Sequence, residues 1–236
     1  MVAIEHLNHR QTAALIEEMT STRNLLSYGV RAVRTGAFID TTRDPILTLL
    51  SIGVEKLFKL TLGLIALDRD HEWPTKAQMK MQGHNLLAMH ESVISELRAR
   101  STTQTECVRE LLAEVEGDDV LQPIITALDV YGRAGRFYNL DELGGQSQLV
   151  SPANAWDEVD QAARSDPHVD ALFQQAMRDT GDGAAWDQHT NALQERIAAS
   201  IERLWKAIAV SGRNYVLGET GTIFGFEVHP DAVGRQ

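Results

Sequence analysis

A single cysteine, Cys107, stands in the whole chain, within the polar run TQTECVRELL. No internal disulfide can form, and a reducing compartment, the cytoplasm, is the expected home. Nothing in the local sequence offers Cys107 a base, so it reads as a structural or surface residue rather than a catalytic thiol. Signal features are scarce too: MVAIEHLNHRQ has neither the basic segment nor the apolar run of a secretory signal, and export is not expected. Uninterrupted hydrophobic spans are also absent. The nearest approach, Pro45 to Leu67, carries Glu55, Lys56 and Lys59 at its centre, where each charge would cost about 2.5–3.5 kcal/mol in a bilayer. That segment reads as a buried helix, and no membrane partner is expected.

Positive charge is scarce. Lysine and arginine total 22 against 33 aspartates and glutamates, for a formal net charge of −11. Binding to double-stranded DNA by counterion release is therefore not expected, and any contact with nucleic acid must come from a local basic site. Metal motifs are missing as well. The eight histidines never fall into HExxH or into the Glu-x-x-His spacing of helical carboxylate sites, so neither a metal nor another cofactor is expected. No Gly-rich phosphate loop leads into Lys and Ser or Thr, and Gly218-Glu-Thr-Gly221 reads as a turn. No internal repeat and no low-complexity tract occurs.

What is present is helical periodicity. With 236 residues and 43% hydrophobic side chains, the chain can bury a substantial core. Apolar residues recur at helical spacing from about Arg10 to Arg34, and a second helix follows to about Asp68, with Asp40, Thr41 and Thr42 as candidate caps and Pro45 in its first turn. Asp70 to Gln82, with Trp73-Pro74, reads as a loop closed by Gly83. Further helices are predicted from Leu86 to about Arg98 with Asn85 as cap, from Thr103 to Val115, and from Asp119 to Tyr131. Two short segments, Trp156 to Ala163 and Val169 to Arg178, lie inside an apparent insertion spanning about 146–184. The last strong helix runs from Trp186 to Asn214, with Glu202–Lys206 as a favourable pair one turn apart. Beyond Gly218 the alternation of Phe224, Phe226 and Val228 predicts a short extended arm. The reading is an all-α helical bundle of residues 1–218, with a long C-terminal helix and an extended tail at 219–236.

Two constellations carry chemistry. Glu55 and Lys59 are an i,i+4 pair with Lys56 beside them. They read either as an intrahelical ion pair at a surface or, with His84, as the lining of a polar cleft. In VYGRAGRFYNLDEL, Arg133, Arg136, Tyr138 and Asn139 lie among aromatic rings, an arrangement suited to phosphate binding and base stacking. Helix capping and core covering account for the same residues.

The order of an EKLFK helix (Glu55 to Lys59), the loop end GHNLLAMHE (Gly83 to Glu91) and GRFYNLDEL (Arg133 to Leu143 in its wider frame) resembles the HEPN superfamily of small helical bundles. That resemblance implies a prokaryotic defence or toxin–antitoxin setting, a homodimer, and RNA or a nucleotide handled in a polar cleft. Active members use an arginine followed after four to six residues by histidine. The nearest pair in this chain, Arg164 and His168, is one residue too short and is interrupted by Pro167. A ribonuclease site would need a base for the ribose 2′-hydroxyl and a cation for the phosphorane, here drawn from different segments. The other reading is a non-catalytic module that binds a protein partner.

Overall fold

Helical periodicity becomes eleven helices among the described residues of a computed structural model, which covers 4–36, 39–101, 106–178 and 180–233. They are α1 His9–Thr35, α2 Ile39–Asp70, α3 Lys76–Gln82, α4 Leu86–Arg100, α5 Glu106–Glu116, α6 Leu121–Arg133, α7 Tyr138–Leu143, α8 Pro152–Arg164, α9 Pro167–Arg178, α10 Gly183–Arg213 and α11 Glu219–Glu227. No strand occurs among those residues, and none of their helices is long and apolar enough to cross a membrane.

Caps explain several boundaries. Asn8 starts α1 in a capping box with Gln11, Thr75 starts α3 with Gln78, and Asn85 accepts from Ala88 N at the start of α4. Pro152 follows the Ser151 cap of α8, where its missing N–H is not needed. α2 is central, packed between α1, α4, α6 and α11, and α10 runs beside α1, α5, α8, α9 and α11. Between them lie Met19, Leu26, Leu50, Phe58, Ile197 and Trp205, all essentially inaccessible to water.

Several expectations need correction. α2 begins at Ile39, so Pro45 lies inside the helix and brings no N–H to its ladder. The capping side chain of Asp40 and the helix start at Thr103 lie outside the described residues. Part of the expected loop at 70–82 is α3, because Thr75 and Gln78 close a capping box. The apparent insertion is integral: α8 packs on α6 and α10 and buries Trp156, Val159 and Ala163. Glu202 is bound by Arg34 of α1 at 2.7 Å, a cross-helix partner that the pairing with Lys206 did not anticipate.

The extended arm is also overturned. Residues 219–227 form α11, and Gly218, with φ 79°, is its N-cap rather than part of a free turn. Gly221, Phe224, Gly225 and Val228 share one helical face, spaced i, i+3, i+4 and i+7. Phe224 and Val228 are buried while Phe226 is 64% exposed, which a one-sided strand would not give. Glycine allows this docking: a Cβ on Gly212 would stand 2.5 Å from Gly221 O, so α10 and α11 touch backbone to backbone. Trp205 Nε1 donates to Val228 O and ties the chain beyond α11 to α10.

Candidate functional site

Glu55 and Lys59 face the same side of α2 one turn apart, and Lys59 Nζ donates to Glu55 Oε1 at 2.7 Å. His84 reaches the same carboxylate from the connection between α3 and α4, with Nδ1 3.0 Å from both oxygens. Its position depends on Gly83, whose backbone takes φ 59° and ψ −137°, a conformation costly for any residue with a Cβ. Burial pushes the Glu55 carboxyl up, but hydrogen bonds from Lys59 and His84 outweigh it and hold the group below the ordinary carboxylate range. An ionised carboxylate only accepts, so the His84 ring carries a proton on Nδ1 and turns Nε2 away from Glu55. His84 is 63% exposed and Glu55 only 18%, which leaves the ring, not the carboxylate, facing solvent. The arrangement is a base held by an acidic anchor, with a cation alongside.

Lys56 turns the other way, to Glu18 of α1 at 2.8 Å and Ser21 Oγ at 3.1 Å. Both lysines nevertheless line one mostly apolar cavity of about 340 Å³, between α1, α2 and the 73–79 segment. Trp73 and Met79 form part of its wall. From the sequence Trp73 reads only as part of a loop and Met79 has no role, because the segment lacks helical periodicity; the tryptophan in a polar stretch is the available signal.

The arginine–aromatic cluster divides. Arg133 Nε pairs with Asp129 Oδ2 at 3.0 Å, and Asp129 Oδ1 accepts from Leu86 N at 2.7 Å. Arg133 is thereby tied to the first turn of α4, two residues from His84. Arg136, Tyr138 and Asn139 instead line a separate cavity of about 430 Å³ with Thr41, Arg43 and Ser151, near the start of α8. Arg136 Nη2 donates to Gly132 O at 3.2 Å, so helix termination accounts for part of its role. Asp129, buried among the apolar residues of α6, was missed; its i,i+4 spacing to Arg133 was the clue.

Other histidines serve packing. His90 lies against Phe58 with ring centroids 5.9 Å apart, and burial pushes its pKa down. His189 sits among Phe173 and Trp186, also shifted down by burial. His6 and His71 stack at 4.4 Å, both with left-handed backbones, φ 63° and 60°. Among the described residues, no group of three histidine, cysteine or acidic side chains is placed to hold a metal ion. Arg164 ends α8 and His168 lies in the first turn of α9, on either side of a helix break. No family model, no curated protein and no solved structure matches this chain.

Proposed function

We propose that this HEPN-like helical protein handles RNA or a nucleotide at the Glu55–Lys59–His84 notch, in a prokaryotic defence or toxin–antitoxin setting and as a homodimer. The observation that carries the reading is His84, anchored through Nδ1 by an ionised Glu55 while its ring faces solvent. Nε2 accepts the proton of a ribose 2′-hydroxyl, the 2′-oxygen attacks phosphorus, and the P–O5′ bond breaks to leave a 2′,3′-cyclic phosphate. The departing 5′-oxygen takes a proton from the imidazolium or from water. Arg133, 49% exposed and held near the start of α4, supplies charge for the phosphorane. This pairing replaces the family's arginine–histidine motif with a histidine from the α3–α4 connection and an arginine from the end of α6.

The test is cleavage of mixed RNA by the purified protein. His84→Gln is expected to lower the rate by about a hundredfold, within the usual range for a lost general base. Arg133→Ala combined with Arg136→Ala is expected to weaken RNA binding. Absence of both cleavage and saturable nucleotide binding in the unaltered protein would overturn the reading.

One observation favours the rival reading, a non-catalytic module with a protein partner. Phe137, Leu140, Leu143, Leu149 and Val150 are all exposed within fourteen residues, a concentration of apolar side chains at the surface. Under that reading Leu140→Asp with Leu143→Asp abolishes partner capture while His84→Gln has no effect.

A further inference from the structure

The cavity beside the notch is larger and more apolar than proton transfer requires. Its wall is built by the indole of Trp73, which lies on the backbone of α2 at Gly63: a Cβ there would stand 2.5 Å from Trp73 Cη2. Leu15 and Leu60, both buried, form the floor, and the flexible thioether of Met79 closes one side. Cavities that take small molecules span roughly 300–1,000 Å³, and about 340 Å³ suits one heterocycle rather than an extended chain.

The polar atoms at its mouth narrow the ligand class. Lys56 is matched by Glu18 at 2.8 Å and Lys59 by Glu55 at 2.7 Å, so the rim is electrically balanced. A fatty-acid carboxylate would add a negative charge to cations that are already neutralised, and its chain would leave the rim groups unmatched. A nucleobase has flat faces for the indole and the thioether, and an edge carrying both donors and acceptors for ammonium and carboxylate groups. Lys59 lines the cavity and also donates to Glu55, the carboxylate that holds His84, so the cavity and the notch share one side chain.

We infer that this cavity binds a nucleobase, and that it sets which nucleotide is presented to the notch; the inference rests on the RNA or nucleotide reading above. Titration calorimetry of the full chain with AMP, GMP, CMP and UMP tests it, with ribose 5-phosphate and octanoate as controls. At least one mononucleotide is expected to saturate, with ribose 5-phosphate at least about tenfold weaker. Ala14→Leu, which fills the mouth from the exposed side of α1, is expected to raise that Kd by about tenfold or more, with unchanged far-ultraviolet dichroism. Trp73→Phe is expected to abolish the quenching of tryptophan emission by the bound nucleotide.

Saturable mononucleotide binding without RNA cleavage would sink the catalytic reading and leave the pocket standing. Cleavage whose base preference and KM are untouched by Ala14→Leu would overturn the pocket and leave the notch standing. Octanoate binding tighter than every mononucleotide, or no mononucleotide binding at all, overturns it as well.

Discussion

Gly83 has no atom within 4 Å of the place where a Cβ would stand, so an alanine there fits the space and strains only the backbone. Gly83→Ala is expected to cost about 1–2 kcal/mol in urea unfolding and to loosen His84 from Glu55, which a changed imidazole chemical shift would report. Glu55 was legible in the sequence through its spacing to Lys59, but the third member of the cluster was placed by a turn that spacing does not describe. Asp118 was not legible at all. Its carboxylate is 1% exposed and binds Arg196 Nη2 at 2.7 Å, Arg203 Nη1 and Val120 N. Burial pushes this carboxyl up, yet the hydrogen bonds from Arg196 and Ser200 and the charge of Arg196 prevail and hold it below its ordinary value. A depressed folded pKa means a contribution fully present above the ordinary carboxylate range and lost as pH falls through the folded value. Stability is therefore expected to decline below about pH 4, and Asp118→Asn to flatten that decline while costing about 3 kcal/mol at pH 7. Chemical denaturation across pH measures both.

The second helix was readable because its charges interrupt an otherwise apolar stretch, and in the folded chain those charges do face α1 and the start of α4. The C-terminal helix was misread for a physical reason. Over seven residues, alternation of Phe224, Phe226 and Val228 satisfies a period of two, while Gly221 and Gly225, one turn apart, satisfy 3.6; a window this short does not separate them. The decision comes from α10, whose Gly212 offers a backbone surface to glycine and to nothing larger. A Cβ on Gly225 would collide with Arg213 N and stand 2.5 Å from Ala209 O, both rigid backbone atoms. Gly225→Val is thus expected to lower stability by about 2–3 kcal/mol, read from the urea midpoint, whereas exposed Thr126→Ala on α6 is expected to change it by less than about 0.5 kcal/mol. α3 escaped notice because its seven residues bury no side chain and carry no apolar stripe.

Because Phe224, Val228 and Trp205 meet under α11, that helix completes the core rather than trailing from it. Deleting residues 219–236 is expected to expose Trp205, broaden thermal unfolding and lower Tm by more than about 10 °C. Light scattering on the same truncated chain would show an unchanged mass with intact cooperative unfolding if the segment were only a tethered arm, and that result would contradict the packing described above. Local spacing by itself determined that most of the described residues are helical and that Glu55 and Lys59 pair, since a helix repeats every 3.6 residues and brings i and i+4 together wherever it forms; it placed neither α3 nor α11. Tertiary structure alone decided that His84 meets Glu55, that Arg133 is tied through Asp129 to the start of α4 while Arg136 faces another cavity, and that Trp73 closes a pocket beside them. Those contacts join residues separated by 10 to 43 positions, and their distances depend on how helices cross rather than on any period along the chain.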